Sequence, residues 1–181
     1  FYKNPEDLDI SLFVYPNDIL DEIKKEPPDI LGFASYTWND NLNKEILKFV
    51  KKNYPKVITI FGGPNFNNYD LEKYFLERPY LDFYIVNQGE TGFLELINKY
   101  SEGKLNRNHQ DTQQMENLAF YNTKLNRVFI GNIAKRYKDL DIIPSPILDG
   151  TLDKFFEDKN LIPIIETMRG CPFTCTYCAW G

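Results

Sequence analysis

The chain of 181 residues contains one histidine, His109. It sits in a polar run, Asn106-Arg-Asn-His-Gln-Asp-Thr-Gln-Gln, and reads as a solvated loop residue rather than a ligand. No apolar run approaches the ~18 residues that span a bilayer as a helix, and no signal peptide opens the sequence. The expected setting is therefore cytoplasmic, with no membrane partner. The net charge is −5, without a block of one sign, so nothing marks a nucleic-acid footprint. Strand ends lack the acidic cluster of a phospho-receiver, because Asp40 and Asp70 fall too far into their loops. No internal repeat of fixed sequence is present. Cysteine is scarce as well: three in all, Cys171, Cys175 and Cys178. The first residue is Phe1 rather than Met, and the last cysteine stands three residues from the end, so a piece of a longer protein is expected.

What is present suffices for a domain. Hydrophobic residues make up 43% of the chain, ordinary for a globular protein. A domain of ~150 residues buries about 70% of its unfolded surface, so a sizeable core can form.

The pattern alternates strands and helices. Residues 10–15 (Ile-Ser-Leu-Phe-Val-Tyr) read as a short strand. Asn17 or Asp18 can cap a helix to about Lys25, stopped by Pro27-Pro28. Residues 29–35 form a near-continuous apolar run, as in a parallel strand covered on both faces. Leu42, Ile46, Phe49 and Val50 recur at helical spacing. A strand follows at 57–61, a helix around 71–75, and a strand at 82–86. Thr91 can cap a further helix, bearing Phe93, Leu96, Ile97 and Tyr100. This rhythm predicts a parallel sheet in an α/β domain. Residues 104–114 read as a polar surface loop, and 118–121 can pair with 127–130 as a hairpin. Residues 139–150, with Pro144 and Pro146, read as a linker. A short helix over 151–156 and a strand over 161–165 then lead to the cysteines, as chemistry leads off strand ends in α/β barrels.

In open parallel sheets ligands bind beyond the carboxyl ends of the strands. Three such ends are suggestive here. Ser35 and Thr37 follow the first long strand. Gly62 and Gly63 follow the next and let a ligand approach the backbone. Gly89 and Glu90 follow the third.

The cysteines are spaced C-x3-C-x2-C. Three thiolates this close can hold one metal centre and leave a position open, which suits an iron–sulfur cluster. Plain buried thiols and a zinc knuckle are the competing readings. A disulfide would leave one thiol over, and structural zinc would want a fourth ligand.

Residues 168–178, Met-Arg-Gly-Cys-Pro-Phe-Thr-Cys-Thr-Tyr-Cys, resemble the cluster motif of radical S-adenosylmethionine (SAM) enzymes. The resemblance implies that Cys171, Cys175 and Cys178 ligate a [4Fe–4S] cluster whose fourth iron binds SAM, with Tyr177 near the adenine. It also implies an external electron donor and a small-molecule or peptide substrate. The three strand-end loops upstream resemble the cobalamin-binding domain of the B12-dependent branch of that family. That likeness implies a corrinoid pocket lined by Ser35, Thr37, Gly62, Gly63, Gly89 and Glu90, and radical chemistry such as methyl transfer.

The expected fold is thus α/β, with a flavodoxin- or Rossmann-like parallel sheet and the start of a partial TIM barrel. The expected division is 1–103 for the cobalamin-binding-like domain, 104–150 for hairpin and linker, and 151–181 for the start of the radical SAM core. Two departures matter. The Asp-x-His-x-x-Gly motif that supplies a lower cobalt ligand in some B12 domains is absent, so cobalamin would bind without a histidine. Registering the motifs also makes 10–15 the second strand of the domain and leaves no first strand, which is central in the order 2-1-3-4-5. The alternatives are a corrinoid-free α/β domain on a radical SAM protein, and a regulatory α/β module with a terminal zinc knuckle.

Overall fold

A computed structural model describes residues 5–66, 70–105, 115–171, 173 and 175–177. It divides into two units, Phe1–Lys135 and Arg136–Gly181.

The first unit is built on a five-stranded sheet in the order β1-β2-β3-β4-β5. The elements follow the sequence as α1 (Pro16–Lys25), β1 (Ile30–Ala34), α2 (Asp40–Asn53), β2 (Ile58–Gly62), α3 (Leu71–Leu76), β3 (Phe83–Ile85), α4 (Gly89–Ser101), β4 (Leu118–Asn122) and β5 (Arg127–Ile130). β1, β2 and β3 run parallel, with Ala34 opposite Gly62 and Gly62 opposite Ile85. The hairpin predicted over 118–130 forms, and it does more than stand alone. β4 pairs antiparallel with β3, and β5 with β4, so the hairpin extends the same sheet. The sheet is therefore mixed, the expected parallel strands being continued by the antiparallel hairpin.

The period-two alternation of a strand sorts the core. Phe61, Tyr84 and Val86 face one side, packed with Leu47 of α2 and with Tyr74 and Phe75 of α3. Ile60, Phe83 and Ile85 face the other, packed with Leu96 and Ile97 of α4 and with Met115. Ile23 of α1 joins Leu31, Ile46 and Val50. Gly92 lets α4 lie close to the sheet: a methyl there would stand 2.9 Å from Cγ2 of Ile85.

Local signals set the ends of these elements, and two of them differ from expectation. α1 starts with Pro16, whose fixed φ and missing N–H suit a first turn, so Asn17 and Asp18 lie inside the helix rather than capping it. α4 starts at Gly89, placing Thr91 within its first turn instead of at the cap. At α3 the Asp70 carboxylate accepts from the Lys73 N–H at 3.2 Å, a side-chain cap. The β4–β5 turn is closed by the Asn122 carboxamide, whose oxygen accepts from the N–H groups of Lys124 and Leu125 at 3.0 and 2.9 Å.

Two predicted strands are absent. Residues 10–15 join no sheet, and Ile10, Val14 and Tyr15 are exposed. An extended segment becomes a strand only through ladder bonds to a neighbour, and no described strand lies beside this one. β1 accordingly ends the sheet.

In the second unit residues 161–165 form no strand either, and Ile162, Ile164 and Ile165 are exposed. Among the described residues the unit holds no strand for them to pair with, only the one-turn helix α5 (Asp153–Phe156). The predicted helix over 151–156 is realised in that turn. Most of the polar loop over 104–114, His109 included, lies outside the described residues. No helix among the described residues is long and apolar enough to cross a membrane.

Candidate functional site

The carboxyl ends of β1 and β2 meet tightly. The Ser35 N–H donates to the Gly62 carbonyl at 2.6 Å, and the Asn65 N–H donates to the Ser35 carbonyl at 3.3 Å. Gly63 turns the chain between them with φ +115°, a conformation that favours glycine. A Cβ on Gly63 would lie 2.8 Å from the Ser35 carbonyl oxygen. Ser35 is fully buried, whereas Gly63 is exposed beside it. The structure therefore brings Ser35, Gly62 and Gly63 together at one place.

Two tyrosines pack beneath this junction. The Tyr84 hydroxyl donates to the Gly63 carbonyl at 2.8 Å and fixes the turn. Tyr74 reaches the same region from α3, its ring edge-on to that of Tyr84 at 5.6 Å. The Tyr74 hydroxyl is buried beside the Ser35 and Tyr84 side chains. Burial pushes both phenols above their usual range, so both remain protonated at neutral pH. Phe66, half-buried, stacks on Tyr84 at 4.4 Å and stands edge-on to Tyr74.

The loop after β1 is held by asparagines. The Asn39 side chain accepts from the Tyr36 N–H and donates to the Ala34 carbonyl, both at 2.8 Å. Asn43 donates to the same carbonyl at 3.0 Å. Thr37 is exposed in this loop. Trp38 is 80% exposed and stacks on Tyr36, centroids 4.5 Å apart at 13°. An apolar ring left in water over a built loop is a feature that strand-end position and glycine content do not single out. The signal was there in the Tyr-x-Trp pair.

Asp40, the first residue of α2, anchors the loop from below. Arg78 grips both its carboxylate oxygens, Nη2 at 3.1 and 2.9 Å, and Lys44 pairs with it at 2.6 Å. Burial alone would raise the Asp40 pKa, but hydrogen bonds from Lys44 and Arg78 outweigh it and hold the carboxyl below its usual value. Arg78 also donates to the Tyr74 carbonyl at 3.0 Å and lies 3.7 Å over its ring.

Gly89 and Glu90 stand at the end of β3, in the first turn of α4. Asn117, fully buried with φ +54°, ties this corner to the hairpin. Its side chain donates to the Gln88 carbonyl at 3.2 Å and accepts from the Ala134 N–H at 2.8 Å. Ordinary sequence signals gave no warning of Asn117, because an asparagine before an apolar run reads as a turn.

In the second unit Cys171 and Cys175 are exposed free thiols, and Tyr177 is 90% exposed. Gly170 precedes them with φ +93°. Cys178 lies outside the described residues. Among the described residues no three potential ligands are placed to hold a metal ion. Thiols in an exposed loop fit the donor chemistry of an iron–sulfur cluster.

Comparison with known proteins narrows the reading. The profile of the B12 binding domain family matches residues 6–97. TokK, a cobalamin-dependent radical SAM methyltransferase of Streptomyces tokunonensis, is 31% identical over 160 residues, covering 85% of this chain and 22% of that protein. A 2-(S-pantetheinyl)-carbapenam-3-carboxylate methyltransferase of Streptantibioticus cattleyicolor is 28% identical over the same length, again 85% of this chain and 22% of that protein. The chain thus spans about a fifth of the length of these relatives. Among solved structures OxsB, described as a cobalamin-dependent S-adenosylmethionine radical enzyme with aqua-cobalamin and S-adenosylmethionine bound, superposes with a TM-score of 0.64. That match covers 90% of this chain and 21% of OxsB at 24% identity, a likeness of fold.

Proposed function

The chain belongs to the B12 binding domain family, and we propose that its α/β unit holds cobalamin at the carboxyl ends of β1, β2 and β3, in a radical SAM enzyme that transfers methyl groups. The observation that carries the binding site is the junction of Ser35 with Gly63. Backbone there is exposed without a side chain. A large planar ligand needs such close access to the chain, and parallel sheets provide it at this end.

Within this reading Ser35, Gly62 and Gly63 form the centre of the contact surface. Thr37, with Tyr36 and Trp38, forms one margin, and Gly89 and Glu90 form the other. Exposed aromatic rings at a margin offer flat apolar area to a macrocycle at little cost in ordering, since each has two side-chain torsions. Within this reading the residues at the strand ends would act on the corrinoid through packing and hydrogen bonds.

Cys171, Cys175 and Cys178 are the residues that would ligate a [4Fe–4S] cluster, and Tyr177 would pack near SAM. When bound, the cluster and SAM supply a carbon radical and cobalamin supplies a transferable methyl group; the protein orients them and excludes side reactions. The relatives named as methyltransferases support this assignment. The substrate is a small molecule or peptide, and the electron comes from an external donor.

The test is anaerobic reconstitution of the longest form of the protein that carries this chain, using iron, sulfide and hydroxocobalamin, followed by desalting and a UV–visible spectrum. A broad cluster absorption together with a retained corrinoid band is expected. Cluster absorption without corrinoid would make the α/β unit a corrinoid-free module. Stoichiometric zinc without cluster absorption would overturn the radical SAM assignment.

A further inference from the structure

Three asparagines take the left-handed backbone conformation: Asn87 at φ +61°, Asn117 at φ +54° and Asn126 at φ +52°. Asparagine enters this region more readily than other residues bearing a Cβ, yet glycine enters it without strain. An asparagine kept there should therefore use its side chain, and two of the three do. The Asn117 carboxamide donates to the Gln88 carbonyl and accepts from the Ala134 N–H. The Asn126 carboxamide accepts from the Tyr121 hydroxyl and closes the β4–β5 turn.

Asn87 differs. Its side chain is exposed and has no hydrogen-bond partner among the described residues. The residues on either side of it are buried and tied down. The Val86 N–H donates to the Asn117 carbonyl at 2.7 Å, and the Gln88 carbonyl accepts from the Asn117 side chain at 3.2 Å. Asn87 is thus carried between two anchored neighbours, with its carboxamide left over. Its place matters as well. β2 and β3 pair with Gly62 opposite Ile85. Asn87 follows Ile85 by two residues, as Pro64 follows Gly62, so it leaves β3 at the level where the Gly63 turn leaves β2.

The ring of cobalamin is fringed with primary carboxamides. Each is both donor and acceptor, as an asparagine side chain is, so the two can pair with each other. Bare backbone at Gly63 admits a ring but cannot select what lies on its rim, whereas a carboxamide can. We propose that Asn87 is a ligand-binding residue whose carboxamide hydrogen-bonds a peripheral carboxamide of the corrin ring at the end of β3. This rests on the cobalamin reading above. It adds to the margin of Gly89 and Glu90 a neutral side chain that matches the ligand's own fringe.

Asn87→Gly is the decisive variant, because it keeps the backbone conformation and removes the side chain. The experiment compares it with wild type in the longest form of the protein. It measures the thermal midpoint without corrinoid, and affinity for hydroxocobalamin and for cobinamide, which keeps the ring and its carboxamides but lacks the nucleotide. Asn87→Gly is expected to keep or raise the midpoint and to weaken both corrinoids equally, roughly 5- to 10-fold, the worth of one hydrogen bond. Asn126→Gly, the same exchange in the β4–β5 turn, is expected to leave both affinities unchanged, and an equal loss there would overturn the proposal. If Asn87→Gly binds hydroxocobalamin as tightly as wild type, the proposal is wrong while the cobalamin reading stands. A loss confined to hydroxocobalamin overturns it too, since the contact then falls on the nucleotide. So does a lowered midpoint, since the side chain then serves the fold. Wild type that binds neither corrinoid overturns both readings.

Discussion

The Cα of Gly63 lies so close to the carbonyl of Ser35 that an added methyl would stand 2.8 Å from that oxygen. The clash is with backbone, which cannot rotate away as a side chain can. The φ of +115° is a second obstacle for any residue bearing a Cβ. Gly63→Ala should therefore destabilise the first unit by about 1–3 kcal/mol, the usual cost of a strained backbone position. It should also abolish retention of hydroxocobalamin, because the turn is the centre of the proposed contact surface. Urea denaturation and desalting with the corrinoid would check the two effects separately. A variant of unchanged stability would show that the turn relaxes freely.

Asp40 and Arg78 make a second, chemically different prediction. The Asp40 carboxyl is held below its usual value of 3.8 by Lys44 and Arg78 acting against burial. A depressed folded-state pKa adds stability that is complete above the unfolded value and disappears as pH falls through the folded one. Wild type should thus lose part of its stability below about pH 4. Asp40→Asn should cost ~1–3 kcal/mol at pH 7, typical for hydrogen bonds to a charged group. The variant should also show a flatter stability profile below pH 4 than wild type. Thermal midpoints from pH 3 to 7 would reveal both, and parallel profiles for the two proteins would remove Asp40 from the account.

Gly131 tests the hairpin independently of any ligand. A Cβ there would fall on the Met115 carbonyl oxygen, where the chain entering β4 passes the chain leaving β5. The Gly131 N–H meanwhile donates to the Leu118 carbonyl at 2.9 Å. No side chain can be fitted without separating the strands. Gly131→Ala should cost more than ~4 kcal/mol, the range reserved for severe mutants. Accumulation of insoluble protein, or a collapsed denaturation midpoint, is the expected readout.

These sites differ in how far the sequence disclosed them. Ser35, Gly62 and Gly63 were legible because strand-end position and residue type point the same way. β1, β2 and β3 were legible from their continuous apolar runs, and the hairpin from two such runs across an Asn-bounded turn. Residues 10–15 and 161–165 carry equally good strand patterns and form none. A strand depends on a neighbour as much as on its own residues, and local pattern cannot report the neighbour. The antiparallel joining of β4 to β3 was hidden for the same reason. Tyr74 was legible only as one of a helical apolar stripe. Arg78, in a short Glu-Arg-Pro segment, gave no sign that it would grip Asp40 from 38 residues away.

The cysteine loop provides the last prediction. Cys171 and Cys175 are exposed thiols, and the Gly170 turn before them has φ +93°, a conformation that favours glycine. Replacing Cys171, Cys175 or Cys178 singly with alanine leaves two thiolates where a cluster of four irons would need three from this loop. Each variant should lose nearly all cluster absorption after anaerobic reconstitution of the longest form of the protein, and with it all reductive cleavage of SAM. Hydroxocobalamin binding should survive in the same variants, since none of the residues at the Ser35–Gly63 junction is altered. Absorption and corrinoid retention measured on one sample would thus separate the two cofactor sites. A cysteine variant that keeps both the cluster band and SAM cleavage would refute the ligand assignment. One that loses corrinoid together with the cluster would show that the two sites are coupled.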